Sequence, residues 1–268
     1  MLKDITLGQY FPGNSIAHKL DPRTKILLVT LYIIALFSAK GWMGYAVMAV
    51  TLAACVKVSH VGLRALVRGL KPLVFIIAFT GILNMFFTPD THYLWEWGIL
   101  RVSVKGIENA LFMVIRIMLL VMGTFLMTYT TSPIRLTDGL ESLLNPLKKI
   151  HVPVHELAMM MAIALRFIPT LIEETDKIMS AQKARGADFD SGNIFQKAKA
   201  LVPILVPLFI SAFRRADELA TAMECRCYHG GEGRTKLHVL KYQRRDYVAL
   251  AGGVVILVLV VALRRLGA

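Results

Sequence analysis

Apolar residues gather into five long runs separated by shorter polar and charged segments: residues 26–39, 43–56, 73–87, 107–129 and 247–263. The fourth run is long enough to cross a bilayer as a helix, since a crossing takes about 20 residues at about 1.5 Å each. The first two runs are short and only Lys40-Gly41 divides them, which predicts a tight helical hairpin that spans with local thinning or partner helices. The pattern predicts an all-α integral membrane protein with about five transmembrane helices.

Charges between the runs predict the orientation. Basic residues concentrate in the N-terminal segment and in the loop after the second run: Lys3, Lys19, Arg23, Lys25, Lys57, Arg64, Arg68 and Lys71. The positive-inside rule therefore predicts a cytoplasmic N-terminus. Residues 88–106 are nearly neutral and carry Trp95 and Trp97, so they are expected outside. Five spans then leave the C-terminus outside, which Arg264 and Arg265 contradict, so the side of the C-terminus stays open.

Composition agrees with a membrane protein. The 268 residues are 56% hydrophobic, against about 45–50% in a typical soluble domain. The formal net charge of +13 is compatible with nucleic acid or with an anionic membrane face, but many basic residues sit between apolar runs and no base-stacking platform is evident. We therefore expect a lipid bilayer and no nucleic acid as a partner. The location expected is a cell membrane, crossed several times.

Residues 131–246 differ from the rest, which divides the chain into 1–130, 131–246 and 247–268. This middle region is too charged for simple spans and too apolar for a free loop. Its hydrophobic spacing predicts two long helices, over residues 155–184 and about 194–224, with kinks at Pro203 and Pro207 in the second. Each helix is apolar at its start and charged toward its end, as expected of an element that runs from a membrane into the cytosol.

The two predicted helices end alike. The first ends Asp176-Lys-Ile-Met-Ser-Ala-Gln-Lys-Ala-Arg185, and the second ends Asp217-Glu-Leu-Ala-Thr-Ala-Met-Glu-Cys-Arg226. A single arginine near a helix C-terminus is ordinary capping, favoured by the helix dipole. Two copies with a shared preceding pattern favour a pair of docking points for a partner over capping alone.

These residues carry a resemblance to a known family. Ala184-Arg185-Gly186, and the second element Cys225-Arg226-Cys227, resemble the paired signature of the transmembrane T components of energy-coupling-factor transporters. The opening Leu20-Asp21-Pro22-Arg23-Thr24-Lys25, and residues 230–236 after the second element, are similar to the same family. The departure is in the second element, where Cys225 stands in place of the family's alanine and Cys227 in place of its glycine, while the arginine is kept. Because cysteine tolerates a left-handed backbone poorly, the second helix is expected to end differently.

The resemblance implies a mechanism. Family T components bind two cytosolic ATP-binding-cassette ATPase subunits through long cytoplasmic coupling helices, each with its arginine in a groove of one ATPase. A separate substrate-binding membrane subunit, the S component, is held on the membrane side for vitamin or metal-ion uptake, and the location that the resemblance implies is the bacterial cell membrane. The expected docking residues are Ala184, Arg185, Gly186, Cys225, Arg226 and Cys227. Contact with the S component is expected at Met159, Met160, Met161, Pro203 and Pro207, since Met-rich surfaces re-pack against different partners.

Other constellations favour plainer interpretations. Cys225, Cys227 and His229 lack the usual zinc spacing and are predicted to be free of metal. Arg116 lies inside the fourth run, where pairing within the bundle or snorkelling is at least as good as a functional role. Glu173 and Glu174 are predicted to form a solvated helix face. We expect no catalytic residue, no metal and no cofactor. A membrane-embedded enzyme and a self-sufficient channel or secondary transporter remain the alternatives.

Overall fold

The computed structural model describes residues 10–88, 93–97, 100–187, 189, 193–230 and 239–265. Its α-helices are α1 (Ile16–Lys19), α2 (Pro22–Ser38), α3 (Gly41–Ser59), α4 (Leu63–Leu70), α5 (Val74–Phe87), α6 (Val104–Thr130), α7 (Pro133–Leu144), α8 (Val154–Ala184), α9 (Ile194–Cys225) and α10 (Arg244–Arg265). Short 3₁₀ helices cover Lys71–Leu73 and Asn145–Ile150. The prediction of an all-α membrane protein is confirmed.

The exception to the helical architecture is a hairpin of two antiparallel strands, β1 (Tyr93–Trp97) and β2 (Leu100–Ser103), within the segment predicted to be an external loop. Tyr93 pairs with Ser103 and Trp97 with Leu100. The Ser103 side chain then accepts a hydrogen bond from the Gly106 backbone N–H at 2.9 Å, so the hairpin leads directly into the N-cap of α6.

Two compact units make up the chain, and each is described separately. The first, here called the bundle, comprises Gly8–Leu140 and Leu240–Ala268. The second, here called the helix pair after α8 and α9, comprises Glu141–Val239. The helix α7 carries the chain from one unit into the other.

One end of the bundle is fixed by buried polar contacts, and we call it the basic end. The Lys25 ammonium donates to the Thr130 carbonyl at 2.8 Å and to the Thr131 hydroxyl at 3.0 Å. The Asp21 backbone N–H donates to the Asp246 carboxylate at 2.8 Å. These bonds hold the starts of α2 and α10 beside the end of α6. The chain therefore leaves the bundle and returns to it at the same end.

The helices α2 and α10 run parallel to each other. They start together at Asp21 and Asp246, and Gly253 of α10 lies against Leu28 of α2 further along. The end of α10, with Arg264 and Arg265, is therefore at the opposite end of the bundle from Arg23. The start of α2 and the end of α10 thus lie at opposite ends of the bundle, as an odd number of crossings such as the predicted five requires.

The bundle core is apolar and close-packed where α2, α3, α4, α6 and α10 meet. Its largest fully buried apolar side chains are Leu36, Met48, Leu66, Tyr129 and Val260. Tyr32 of α2 donates its hydroxyl to the Leu119 carbonyl at 3.0 Å and lies over Gly123 of α6, where an added Cβ would fall within 2.5 Å of the ring. Glycine at this position allows α2 and α6 to approach closely.

Five helical segments among the described residues are long and apolar enough to cross a membrane: Gly41–Ser59, Leu63–Phe87, Val104–Thr130, Val154–Ala184 and Arg244–Arg265. The number matches the prediction, but the set does not. The first predicted run forms α2, whose 17 residues span about 25 Å, less than the roughly 30 Å hydrocarbon core. The fifth segment is instead α8, because its first half is as apolar as a span.

Candidate functional site

The first arginine tip, Ala184-Arg185-Gly186, ends α8 with a complete set of backbone capping bonds. The Gly186 N–H donates to the Lys183 carbonyl at 3.0 Å, and the Ala187 N–H donates to the Gln182 carbonyl at 3.0 Å. Gly186 has φ +88°, in the left-handed region that glycine adopts without steric cost. This pair of bonds is the Schellman arrangement, which satisfies carbonyls that a helix end otherwise leaves without partners.

The second arginine tip, Cys225-Arg226-Cys227, ends α9 in the same way. The Cys227 N–H donates to the Glu224 carbonyl at 2.8 Å, and the Tyr228 N–H donates to the Met223 carbonyl at 3.0 Å. Cys227 takes the position of Gly186, with φ +54°. The prediction that this helix ends differently is wrong, because the two capping bonds hold the backbone in place despite a cost of about 1–2 kcal/mol for a side chain in that conformation.

The arginines themselves project from the helix ends. Arg185 and Arg226 are exposed, as are Ala184 and Cys225 beside them. Within the part of the chain that the structure describes, neither guanidinium has a hydrogen bond or an ion pair. Each therefore presents a planar fork of donors suited to bidentate bonding with carboxylates on another surface. All six predicted docking residues lie at these two tips.

The helices α8 and α9 are joined by an ion pair that the sequence did not predict. Arg215 donates to the Glu174 carboxylate at 2.8 Å, and the Ser211 hydroxyl bonds to the same carboxylate. The side chain of Glu174 is 23% exposed and that of Arg215 is 30% exposed. Glu173 is exposed as predicted, but the prediction of a solvated face is wrong for Glu174, because α9 covers it.

The ion pair joins equivalent positions of the repeat. Glu174 stands two residues before Asp176, and Arg215 stands two residues before the matched Asp217. Each arginine tip consequently lies the same distance beyond the ion pair, about 16 Å along its own helix. We call this linked position, Glu174 with Arg215, the crossing; it is equidistant from the two tips.

The two helices run in opposite directions, so the tips lie far apart. Toward the end of α8, the Gln182 side chain donates to the Pro203 carbonyl at 3.4 Å, near the start of α9. That carbonyl is available because Pro207 has no N–H to bond it within the helix. From Pro203 to Arg226, α9 extends for about 34 Å. A single narrow groove cannot hold both tips.

A large apolar surface lies on the first half of α9. The exposed residues follow helical spacing along one side: Leu201, Val202, Leu205, Val206, Phe209, Ile210 and Phe213. Of the residues predicted to contact the S component, Met160 and Met161 are exposed and Met159 is half-buried. Pro203 is exposed and Pro207 is half-buried, and α9 continues as one helix through both. An apolar stripe of this length marks a contact surface for a protein or for lipid.

The remaining candidates are accounted for by local contacts. Arg116 donates to the Tyr45 hydroxyl from Nε at 2.9 Å, which agrees with pairing inside the bundle. Cys225 and Cys227 are exposed free thiols, and the His229 ring bonds to the Cys227 carbonyl at 2.9 Å. Among the residues that the structure describes, no group of three His, Cys, Asp or Glu side chains is arranged to hold a metal ion. Residues 231–236 lie outside the described ranges.

Together, the fold and site define a class: a multi-pass α-helical membrane protein with a pair of antiparallel helices, each tipped by an exposed arginine. Comparison with known proteins identifies the family within that class. The family described as "Cobalt transport protein" (CbiQ) matches residues 13–237. Curated relatives named energy-coupling factor transporter transmembrane protein EcfT align over nearly the whole chain.

Three of these relatives illustrate the similarity. That of Ruminiclostridium cellulolyticum is 55% identical over 92% of this chain and 92% of its own length. That of Acidaminococcus fermentans is 55% identical over 98% and 97%, and that of Bacillus subtilis is 46% identical over 98% and 100%. The chain belongs to the EcfT family of energy-coupling factor transporter membrane proteins. The resemblance inferred from the sequence motifs is confirmed.

Proposed function

We propose that this protein is the scaffold that couples two cytosolic ATP-binding-cassette ATPase subunits to an S component, for import of a vitamin or metal ion. ATP hydrolysis is carried out by the ATPase subunits and not by this chain. The observation that carries the proposal is the pair of exposed arginines on identically capped helix ends, about equally distant from the Glu174–Arg215 ion pair. Two separated tips of the same geometry suit two similar partners.

The charge and rigidity of the tips support docking into grooves on the ATPases. Each arginine is placed by a helix end whose backbone is fixed by two capping bonds, so little backbone conformational entropy is lost when it binds. A groove lined with carboxylates would bond the guanidinium bidentately. The ion pair at the crossing lets a movement of one ATPase be passed to the other helix instead of being lost in independent helix motion.

The apolar stripe of α9 and the exposed methionines of α8 support contact with the S component. The stripe presents only apolar side chains over three turns of α9. In this proposal the basic end of the bundle faces the cytoplasm. It carries Arg23, and the cations of α4 lie on the same side, which agrees with the positive-inside rule. The helix pair then begins and ends on the cytoplasmic side.

The test is co-purification of the tagged, full-length chain with its ATPase subunits. Four forms are compared: the wild type, Arg185→Ala, Arg226→Ala and the double variant. Removing one partner of a buried charge pair typically costs about 2–5 kcal/mol of binding free energy. The amount of ATPase that co-purifies with each single variant is therefore expected to fall at least tenfold relative to wild type. The double variant is expected to retain none while it still inserts into the membrane as a monodisperse protein.

A matched control is available on α9. Arg214 is exposed and lies beside the ion pair, about 18 Å along the helix from the Arg226 tip, so Arg214→Ala is expected to retain the ATPases. If the double tip variant keeps both ATPases and transport, the arginines are helix caps and the docking assignment is wrong. If the wild type associates with no ATPase, the scaffold function is wrong and a self-sufficient channel or secondary transporter takes its place.

A further inference from the structure

A stripe of cations runs along α4 and into the 3₁₀ turn that follows it, at the basic end of the bundle. Arg64, Arg68 and Lys71 follow one another at helical spacing, and all three side chains are exposed. In the described part of the chain none of them has a hydrogen bond or ion pair. The helix itself is anchored by Leu66, which is fully buried against the bundle, and by Leu70. The stripe is therefore held in a fixed position.

These cations lack compensation from the protein. Like charges one helical turn apart repel each other, as Arg64 and Arg68 do here. They border a groove between α4, α5 and α6, and none of the residues lining this groove is acidic. A bound anion would relieve the repulsion. Phosphate groups, like carboxylates, are anions that the arginine guanidinium binds bidentately.

The groove beside the cations is apolar. We call it the α4–α6 groove; it encloses about 890 Å³ and its apolar walls include Val67, Val74, Ala78, Val114 and Met118. Val67 and Val74 are exposed, and both α5 and α6 belong to segments long and apolar enough to cross a membrane. Cations thus stand at one end of a groove whose remaining wall consists of apolar side chains. A phospholipid has the complementary arrangement, with an anionic phosphate at one end and apolar acyl chains beyond it.

We propose that the α4–α6 groove binds one anionic phospholipid. The phosphodiester lies on Arg64, Arg68 and Lys71, and an acyl chain lies along Val74, Ala78, Val114 and Met118. The three uncompensated cations favour a lipid with a net negative charge over one with no net charge. The continuity of the cations with a membrane-facing apolar wall favours a lipid over a soluble acidic partner. The proposal does not depend on the coupling function.

The experiment is native mass spectrometry of the full-length chain from vesicles that contain phosphatidylglycerol and phosphatidylcholine in equal amounts. The wild type is expected to retain one phosphatidylglycerol, at least tenfold in preference to phosphatidylcholine. Arg64→Gln/Arg68→Gln is expected to reduce this retention at least tenfold. Ala78→Phe, which fills part of the α4–α6 groove without changing any charge, is also expected to reduce phosphatidylglycerol retention at least tenfold. Lys148→Gln/Lys149→Gln removes two exposed cations elsewhere and should retain the lipid.

Contrary outcomes are distinct. Equal retention of the two lipids by the wild type, or unchanged retention in both groove variants, overturns the proposal. If Arg64→Gln/Arg68→Gln keeps the lipid but loses a co-purifying protein, the cations bind a protein partner and the lipid assignment is wrong. Addition of soluble glycerol phosphate is expected to leave the bound lipid in place. Displacement by that compound would show a site for the free phosphate compound in place of a lipid.

Discussion

The two arginine tips have the same backbone and different residues at the position that most constrains it. Gly186 and Cys227 both adopt positive φ, and both donate to the carbonyl three residues earlier. Only glycine does this without a steric penalty. The common geometry therefore comes from the capping bonds and from the placement of the arginine, while the residue that follows the arginine sets how stable each tip is. The two tips should therefore hold their arginines in the same position, but the capped end of α9 should unfold locally more readily than that of α8.

The largest expected effect comes from breaking the Glu174–Arg215 ion pair, which joins α8 to α9 midway between the two tips. Glu174→Lys puts a cation against Arg215 between α8 and α9, and we expect the helix pair to lose roughly 2–3 kcal/mol of stability. Glu173→Lys makes the same charge change one residue earlier on an exposed face and should cost little. The exchange Glu174→Lys/Arg215→Glu should recover most of the loss. Thermal unfolding in detergent measures all four forms.

The recovery of ATPase subunits by the same variants extends this test to function. If the crossing holds the tips at a fixed separation, Glu174→Lys lowers recovery although both arginines are intact, and the exchange restores it. Equal recovery by Glu174→Lys and by wild type would show that each tip docks independently of the crossing.

The sequence predicted the tips better than the crossing. The arginine ends and both long helices follow from local signals, namely hydrophobic spacing and the repeated ending, and α8 and α9 end within a residue of their predicted limits. The Glu174–Arg215 pair depends on how two distant helices align, which local patterns do not specify. A signal was nevertheless present, because the two repeats carry opposite charges at these equivalent positions.

The bundle shows the same division between local and long-range information. Apolar runs located its helices, but the contact of Asp21 with Asp246 joins residues far apart in the sequence and was not predicted. The hairpin β1–β2 was also missed, since its segment is short and is rich in tryptophan, which equally suits a membrane interface. The predicted divisions after residues 130 and 246 stay predictions.

A smaller effect is expected at the first tip. Gly186→Ala places a side chain at φ +88°, where space is open but the backbone conformation is unfavourable, so we expect that tip to lose about 1 kcal/mol. Hydrogen exchange at the amides of Gly186 and Ala187 should quicken by about fivefold. Gly252→Ala is the control, since that glycine lies within α10 and also faces open space. It should be neutral or slightly stabilising, and an equal loss in both variants would contradict the role of φ.

The smallest expected effect, with the opposite sign, is at the second tip. Cys227→Gly removes a side chain from a left-handed position, so the tip should gain stability, by less than about 1 kcal/mol because glycine also adds entropy to the unfolded chain. Exchange at the amides of Cys227 and Tyr228 should slow about twofold. Cys225→Gly is the matched control, since residue 225 lies in the last turn of α9, where glycine destabilises a helix and exchange should quicken. If Cys227→Gly instead quickens exchange, the cysteine stabilises the cap through its side chain, and the two tips differ in more than the ease of adopting positive φ.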